Sequence, residues 1–406
     1  LRGLDDRPQG RPGPASRHGR PVVRALLVVP RLPGTGHTGD RVRAELHLEA
    51  LAALGARVTL VGGAPAGASV SAVRGAAEVR AVPLRKTFLP FFLAKAALRG
   101  WPLQTALCDG PWEAAFEGTG DFDLAVVLLA RLHPRVSALL PATAIVVDFV
   151  DALSEAARQI AKRDPALWRR LYWNLETPRL ERAEREAAHG ARLLLATTPF
   201  DAGVLPAGTV PIAIGAHLGP PPPRERGPVV VFTGRMGYRP NAVAAELLLR
   251  EIWPGVRARV PRAELVVGGA DAPRALRRLA SATEGVRLES PVADMRALLC
   301  TARVAAVPVD MGTGTPIKVY EALEAGCAVV ATPAAASRAV LDGVAAPVRT
   351  ADGAEAFTRE VVTLLSDDGL AAALGERGRA FVVAHADRRV VGLRLAGLLR
   401  GAAEQR

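Results

Sequence analysis

The feature that most constrains the fold is an alternation of short apolar runs with helical segments, repeated twice along the chain. Short apolar runs that alternate with helices predict parallel sheets built from β-α-β units. In the first half the runs lie at 22–29, 57–61, 78–82, 124–129, 144–149 and 193–197. In the second half they lie at 229–233, 263–267, 286–289, 304–308, 328–332 and 344–348. We therefore predict an α/β protein with two doubly wound, Rossmann-like domains that face each other across a cleft.

A proline-rich segment separates the two halves. Residues 219–228 read Gly-Pro-Pro-Pro-Pro-Arg-Glu-Arg-Gly-Pro, and consecutive prolines form a stiff, extended spacer. We predict a hinge here, around which the cleft closes. The predicted organisation is a disordered tail (1–20), an acceptor domain (21–218), the hinge (219–228), a donor domain (229–386) and a C-terminal helix that packs back across the hinge (387–406).

Composition limits the partners. The net charge of +12 over 406 residues indicates an anionic partner, such as a nucleotide or a lipid surface. Nucleic acid is the weaker interpretation, because only 4% of residues are aromatic and no basic helix or zinc-finger spacing is present. The three cysteines lie far apart without ligand spacing, which fits a reducing cytoplasm and predicts no metal site.

Two observations bear on membranes. No run of about 18 uncharged apolar residues is present, which argues against a transmembrane helix. The apolar segment Phe88–Leu93, with Lys86 and Lys95 nearby, is compatible with peripheral contact with an anionic membrane on the cytoplasmic face. A core helix followed by a loop is the favoured alternative for this segment.

The segment 307–326 carries the strongest functional signal. It reads as a strand, a loop with Gly312, Thr313 and Gly314, a helix and a stop at Gly326. Thr315 suits the N-cap of that helix, and Pro316 suits its first position. This unit places backbone N–H groups and the positive end of a helix at the carboxyl edge of a parallel sheet, which is a typical phosphate site. An ordinary well-capped turn is the alternative.

Charged residues accompany this segment. Lys318 is one of only four lysines in an arginine-rich chain, and it lies in the first helical turn, one turn before Glu321. Arg235 follows the first strand of the second half, and it is therefore expected at the same edge of the sheet as the glycine loop. It is a candidate for a second phosphate contact, with a solvated loop arginine as the alternative.

A third loop, Gly34-Thr-Gly-His-Thr-Gly39, follows the first strand of the first half. It matches G-x-G-x-x-G, but the acidic residue of a nicotinamide dinucleotide site is missing about 20 residues later. We expect Gly34, Gly36, His37 and Gly39 to face the acceptor in the cleft. His37 is either a base or a hydrogen-bond donor, or a plain loop histidine.

Two aspartates follow the fifth strand of the first half. Asp148 and Asp151 are expected at the cleft, where either could bind a hydroxyl or act as a base. Asp151 could equally be the N-cap of the next helix. The pair Asp121 and Asp123 resembles a metal-binding D-x-D, but it precedes its strand and therefore lies at the opposite edge of the sheet.

These segments together resemble the retaining glycosyltransferases of the GT-B fold, in particular the family 4 (group 1) type with members associated with exopolysaccharide synthesis. The resemblance rests on residues 232–241 (Phe-Thr-Gly-Arg-Met-Gly-Tyr-Arg-Pro-Asn) and residues 312–332, and more weakly on residues 148–154. It implies transfer of a sugar from a nucleotide-diphosphate sugar to an acceptor hydroxyl, with retention, without a metal and without a separate cofactor. The acceptor is a sugar, a lipid-linked sugar or a small molecule.

The resemblance also assigns roles. Glu321 matches the second glutamate of the family's E-x7-E pattern, which binds the nucleotide ribose. Arg235 and Lys318 match the cations at the diphosphate. Gly234 and residues 312–315 match the backbone beside the phosphates and sugar. We therefore predict Arg235, Lys318 and Asp151 as catalytic residues.

The chain departs from the family at three places. Thr313 replaces the first glutamate of E-x7-E, Val150 replaces a common histidine, and the lysine expected after Arg235 falls near Arg239 or Asn241. These departures leave open which donor is used and whether the chain is active, so a catalytically inactive sugar-nucleotide-binding protein is one alternative. The others are a nucleotide-sugar epimerase of the same fold and, more distantly, an NAD-linked oxidoreductase.

Overall fold

The computed structural model describes residues 23–33, 39–65, 67, 72–84, 89–140, 144–164, 166–222 and 225–404. The predicted tail, the predicted acceptor residues Gly34, Gly36 and His37, and Lys86 lie outside these ranges.

The first domain is built around a seven-stranded parallel sheet with strand order β3-β2-β1-β4-β5-β6-β7. Its strands are β1 (Arg24–Val29), β2 (Arg57–Pro65), β3 (Glu78–Leu84), β4 (Leu124–Leu128), β5 (Ala144–Asp148), β6 (Ala191–Ala196) and β7 (Thr209–Pro211). Its α-helices are α1 (Gly39–Ala53), α2 (Leu89–Leu98), α3 (Trp112–Phe116), α4 (His133–Val136), α5 (Leu153–Arg163), α6 (Leu167–Ala188) and α7 (Pro199–Val204). Short 3-10 turns lie at Leu103–Cys108, Ala130–Leu132 and Ser137–Leu139.

The second domain repeats this plan with a six-stranded parallel sheet of order β10-β9-β8-β11-β12-β15. The strands are β8 (Val229–Thr233), β9 (Glu264–Gly268), β10 (Val286–Glu289), β11 (Val304–Val307), β12 (Ala328–Ala331) and β15 (Arg349–Thr350), with a small hairpin of β13 (Val340–Leu341) and β14 (Val344–Ala345) outside the sheet. The α-helices are α8 (Arg239–Leu247), α9 (Trp253–Arg259), α10 (Arg274–Ala282), α11 (Met295–Thr301), α12 (Ile317–Glu324), α13 (Pro333–Arg338), α14 (Gly353–Ser366), α15 (Asp368–His385) and α16 (Arg388–Glu404), and a π-turn at Leu248–Ile252 links α8 to α9.

The two-domain α/β prediction is confirmed, and the reason lies in the strands. β4, β11 and β12 are buried along their whole length, as expected for parallel strands covered by helices on both faces. In each sheet the chain runs outward from a central strand in one direction and then in the other. The direction reverses between β1 and β4 in the first sheet and between β8 and β11 in the second. Ligands of open α/β sheets bind at such points of reversal, beyond the carboxyl ends of the strands.

One predicted strand differs. The run at 344–348 does not add a strand to the sheet: β14 pairs antiparallel with β13, and β15 pairs with β12 in its place. A short apolar run fixes neither its partner nor its direction, so the pattern alone could not separate these outcomes.

The chain crosses between the domains at two adjacent places. Ala216 forms an isolated bridge with Asp387, and the Cα of Arg388 lies against Gly215. Helix α16 then packs on the first domain, where Val391, Leu395 and Leu399 join its core.

The described part of the proline segment is held by the second domain. The Gly219 N–H donates to Glu324 Oε1 at 2.9 Å, and Arg379 and Arg296 donate both to Glu324 and to the carbonyl groups of Gly219 and Pro220. Rotation between the domains would therefore concentrate before Gly219 and near Asp387. Among the described residues, no helix has the length and apolar character needed to cross a membrane.

Candidate functional site

The glycine loop, residues 310–316, joins β11 to α12 at the carboxyl edge of the second sheet. Helix α12 begins at Ile317, and Pro316 precedes it. The prediction that Thr315 caps this helix is wrong, because the Thr315 hydroxyl donates instead to the carbonyl oxygen of Thr197 in the first domain, at 3.4 Å. The local sequence pattern of a helix cap contains no information about Thr197, which belongs to the other domain.

The glycine loop makes further contacts with the first domain, among them one from the Arg163 guanidinium to the Asp310 carbonyl oxygen. Four more involve residues 312–315. These are Gly312 N–H to Gln159 Oε1 (3.1 Å), Thr313 Oγ1 to Asp151 Oδ2 (3.4 Å), Gly314 N–H to Asp201 Oδ1 and Oδ2 (both 3.2 Å) and Thr315 N–H to Thr197 Oγ1 (3.1 Å). Gly314 has φ 77°, and a Cβ there would lie 3.1 Å from the Cβ of Asp151, so this close approach requires glycine. Amides that we had expected to face phosphate therefore meet oxygen atoms of the first domain.

Lys318 points back towards the end of β8. Its Nζ donates to Asn241 Oδ1 at 2.5 Å and lies 4.8 Å from the centre of the Phe232 ring. A Cβ on Gly234 would lie 3.0 Å from this Nζ, so Gly234 leaves the space that the ammonium occupies. Burial lowers the pKa of Lys318 to about 7, with Glu321 opposing this shift. A bound anion at this position would favour the charged form.

Glu321 lies one turn further along α12. Its carboxylate makes no hydrogen bond within the described residues, although burial raises its pKa to about 7 and Lys318 opposes that shift. The helix ends three residues later, where Gly326, with φ 71°, donates its N–H to the carbonyl oxygen of Leu323. A short, well-terminated helix thus carries a cation and a carboxylate on neighbouring turns.

Arg235 also lies at this edge, directly after β8. Its Nε donates to Asp271 Oδ2 at 2.6 Å, and both side chains are about half exposed (51% and 53%). Such an exposed ion pair contributes little to stability, so the guanidinium can exchange Asp271 for another anion at small cost.

Asp151 faces the glycine loop from the first domain. Its N–H donates to the carbonyl oxygen of Phe149 at 2.7 Å, and Val150 between them has φ 64°, which makes a strained γ-turn with a β-branched residue at its centre. Burial, followed by the charge of Asp201, raises the pKa of Asp151 to about 7. The alternative role of Asp151 as N-cap does not hold, since Ala152 precedes α5.

Asp148 requires a correction. It is fully buried, and its Oδ2 accepts from Arg43 Nε and contacts His47 Nε2, both at 2.6 Å. Against the effect of burial, Arg43 and the hydrogen bond to His47 hold the Asp148 pKa well below its usual range. Asp148 therefore joins β5 to α1 inside the domain and offers no surface to an acceptor.

Of the other predicted acceptor residues, only Gly39 lies in the described ranges. It is the first residue of α1, and a Cβ there would lie 3.7 Å from Cδ1 of Ile317. The start of α1 thus adjoins the start of α12 across the cleft.

Sequence reasoning missed Thr197, Asp201 and Asn241. Thr198 and Asp201 flank the start of α7 in the order Thr-Pro-Phe-Asp, a helix-start signature directly after a predicted strand. That signature could have placed Asp201 at the carboxyl edge of the first sheet. Its bond to Gly314 depends on how the domains meet, which the signature does not encode.

Within the described ranges, no group of three or more His, Cys, Asp or Glu side chains is arranged to hold a metal ion. The two cations that we predict at the edge of the second sheet are the side chains of Lys318 and Arg235.

Known proteins resemble this chain in sequence and in fold. Residues 227–367 match the family model described as Glycosyl transferases group 1. The chain is 34% identical, over 195 residues, to a GDP-mannose-dependent alpha-(1-6)-phosphatidylinositol monomannoside mannosyltransferase of Mycolicibacterium smegmatis. That match covers 44% of this chain and 49% of the relative, so it spans about half of the relative's length.

Solved structures share the fold. A sucrose-phosphate synthase from Thermosynechococcus elongatus superposes with a TM-score of 0.70 at 15% identity, over 93% of this chain and 98% of that chain. WaaG, a glycosyltransferase involved in lipopolysaccharide biosynthesis, superposes with a TM-score of 0.65 at 16% identity, over 93% of this chain and 100% of that chain. The predicted resemblance is thereby confirmed: the chain has the GT-B fold, and residues 227–367 of its second domain match the group 1 glycosyltransferase model.

Proposed function

We propose that the chain is a glycosyltransferase that moves a sugar from a nucleoside-diphosphate sugar to an acceptor hydroxyl, with retention and without a metal. The observation that carries the proposal is the placement of Lys318 beside Gly234, with Glu321 on the next turn, inside the segment that matches the group 1 family. GDP-mannose is the first donor to test, because the mannosyltransferase relative is GDP-mannose-dependent.

The second domain supplies the donor site. Lys318 and, after release from Asp271, Arg235 pair with the diphosphate. The carboxylate of Glu321, which has no hydrogen-bond partner in the part of the chain that the structure describes, accepts from the ribose hydroxyls. Gly234 and residues 312–315 line the phosphates and the sugar, with the amides of Gly312, Gly314 and Thr315 donating to the first domain and not to the phosphates. The proposal needs no separate cofactor, since the nucleotide is a co-substrate.

Catalysis follows from the same charges. As the bond between the anomeric carbon and the phosphate oxygen breaks, negative charge grows on the departing diphosphate. Lys318 and Arg235 stabilise that charge, and removal of one such donor commonly costs about 100- to 1,000-fold in rate. The acceptor oxygen bonds to the anomeric carbon on the same face, and its proton passes to an oxygen of the departing phosphate.

The first domain supplies the acceptor side. The carboxylate of Asp151, held at the glycine loop by the γ-turn, accepts a hydrogen bond from a sugar hydroxyl and orients it for reaction. Gly39 lies at the same opening, and the roles of Gly34, Gly36 and His37 stay predictions.

A lipid-linked acceptor at an anionic membrane is favoured by an exposed apolar stripe on α6. The stripe consists of Leu167, Trp168, Leu171 and Leu175, which are 57–68% exposed at helical spacing. Arg169 and Arg170 lie between them, and residues 167–175 contain no acid. Apolar side chains flanked by arginines suit an anionic lipid surface. The stripe starts four residues after Arg163, whose guanidinium donates to the Asp310 carbonyl in the glycine loop at 2.5 Å. A cytoplasmic location stays a prediction.

The proposal is tested by incubating the protein with GDP-mannose or UDP-glucose and a panel of soluble and lipid-linked glycosyl acceptors. We expect a glycosylated product and release of the nucleoside diphosphate only when an acceptor is present. Conversion of the donor without an acceptor would indicate an epimerase or hydrolase, and tight nucleotide binding without any conversion would indicate an inactive binding protein.

A further inference from the structure

Asp201 is a fully buried carboxylate where the two domains meet. It lies at the start of α7, and it accepts hydrogen bonds from the Thr198 hydroxyl, from the Ala152 N–H at 3.1 Å and from the Gly314 N–H at 3.2 Å. The first two donors belong to its own domain. The third belongs to the glycine loop of the second domain, so one carboxylate joins the two halves of the cleft.

A buried charge is tolerated only when hydrogen bonds replace the water that it loses. Opening of the cleft removes the Gly314 N–H from Asp201 and exposes its carboxylate to water, whereas closure restores both the bond and the burial. The neighbouring bonds of Thr197 and Gln159 to the glycine loop are made by neutral groups. Asp201 differs from Thr197 and Gln159 in coupling a charge to closure. The other charged groups of the first domain that reach the glycine loop, Asp151 and Arg163, bond to a hydroxyl and to a carbonyl oxygen, so Asp201 is the carboxylate that accepts from an amide of this loop.

Asp201 also acts on Asp151. The Ala152 N–H that it holds belongs to the residue after Asp151, while Gly314 follows Thr313, whose hydroxyl contacts Asp151. The charged groups that influence Asp151 are Asp201 and Glu184, which raise its pKa, and Arg131, which lowers it. Arg338 of α13 acts in turn on Asp201 itself.

We propose that Asp201 is a positioning residue that closes the cleft by binding the Gly314 amide and, through Ala152, sets the orientation of Asp151 against the glycine loop. The proposal rests on the proposed function for its catalytic consequences. Its structural consequence, closure through Gly314, does not depend on activity.

Three variants separate these effects. Asp201→Ala removes the acceptor for Gly314, and Asp201→Asn keeps one acceptor oxygen but removes the charge. Thr198→Val is the matched control, because it removes a bond to the same carboxylate from within the first domain and leaves the Gly314 contact in place.

Small-angle X-ray scattering of the protein without ligand measures closure. We expect the radius of gyration to rise in Asp201→Ala, to rise less in Asp201→Asn, and to stay at the wild-type value in Thr198→Val although that variant melts at a lower temperature. A wild-type radius for both Asp201 variants would overturn the proposal, as would an equal increase in Thr198→Val.

Kinetics test the effect on Asp151. We expect kcat to fall at least tenfold in Asp201→Asn, with the Kd of the nucleoside diphosphate within threefold of wild type, and the acidic limb of the kcat profile to move to lower pH because a neighbouring negative charge is gone. An unmoved limb, or a loss confined to nucleotide affinity, would contradict the positioning role. If the wild type transfers no sugar, the proposed function fails, and scattering still decides whether Asp201 closes the cleft.

Discussion

At the carboxyl edge of the first sheet, Asp148 is paired with Arg43 and His47 inside the domain. At the edge of the second sheet, burial moves the pKa values of Lys318 and Glu321 to about 7, and neither side chain forms an ion pair within the described residues. Both sets of residues follow parallel strands, and both were predicted as functional from that position. The difference is that α1 carries a cation and a histidine that reach Asp148, while the hydrogen-bond partner of Lys318 is the neutral amide of Asn241 on α8. Location after a strand therefore indicates function only when no neighbouring helix supplies a partner of opposite charge.

The largest effect that tests this comparison is on stability. Asp148→Ala leaves the buried Arg43 guanidinium without its anion, and removal of one partner of a buried pair costs about 3–5 kcal/mol. Urea unfolding of the variant measures this loss. Asp121→Ala, at an exposed turn position, should change stability by less than about 0.5 kcal/mol. Wild-type stability of Asp148→Ala combined with a loss of acceptor affinity would restore Asp148 as an acceptor residue.

The second prediction concerns catalysis at the other sheet edge. Lys318→Ala should lower kcat/KM by about 100- to 1,000-fold, because it removes a cation from the charge that develops on the departing phosphate. Initial rates at several donor concentrations provide the measurement. Lys162→Ala removes an exposed lysine of α5 and should leave the rate unchanged. Equal rates for both variants would place the phosphates elsewhere.

The third prediction concerns pH and stability. Asp148 has a lowered pKa in the folded protein, so its stabilisation is present above the unfolded value of about 4 and is lost as the pH falls below it. Burial also lowers the pKa of His47, which stays neutral when folded, so stability declines as the pH falls below about 6.5. Both groups act in the same direction. Thermal melts between pH 8 and pH 4 should show a decrease that is smaller in His47→Gln, and a parallel pH profile in that variant would argue against a neutral His47.

The fourth prediction concerns pH and activity. The ionised carboxylate of Asp151 is a stronger hydrogen-bond acceptor for a hydroxyl than its protonated form, so kcat should rise with pH through about 7. Asp151→Asn should lower kcat and remove this limb. A limb that persists unchanged in Asp151→Asn would belong to another group.

The fifth prediction concerns the apolar stripe on α6, which lies apart from the carboxyl edges of the two sheets. Its substitution should affect membrane binding and have little effect on the reaction with a soluble acceptor. Leu171→Asp should abolish sedimentation with vesicles that contain anionic lipid, with little change in turnover of a soluble acceptor. Leu393→Asp, at an equally exposed leucine of α16, serves as the control and should bind vesicles as wild type does. If the wild type formed a dimer and did not bind vesicles, and if Leu171→Asp were a monomer, the stripe would be a contact between two copies of the chain.

The smallest expected effect is that of metal removal. Because side-chain cations neutralise the diphosphate in the proposed mechanism, chelation with EDTA should leave the rate unchanged. A rate that falls and is restored by Mg²⁺ or Mn²⁺ would contradict metal independence.

Much of the fold could be predicted because parallel strands buried on both faces leave short, continuous apolar runs, as at β11 and β12. The unit around Lys318 could be predicted for a similar reason: a strand, a glycine loop and a terminated helix are local in sequence. The resemblance to the family rests on the same segment, residues 312–332, together with residues 232–241.

The remainder depended on contacts between distant segments. Arg43 and Asp148 lie 105 positions apart, and Asp201 and Gly314 lie 113 apart. A sequence pattern identifies a side chain that needs a partner but not which distant residue provides it. This is why Asp148 was assigned to the cleft, why Thr315 was assigned to a cap, and why Asp201 was missed.

The most direct test of the central claim, that the edge of the second sheet binds a nucleoside diphosphate, is titration calorimetry of GDP and UDP with the wild type, Glu321→Gln and Glu251→Gln. Glu251 is an exposed glutamate of the same domain and provides the matched control. We predict binding of one of the two nucleotides, at least tenfold weaker in Glu321→Gln and unchanged in Glu251→Gln. Equal affinity in all three proteins, or no binding to the wild type, would contradict the account.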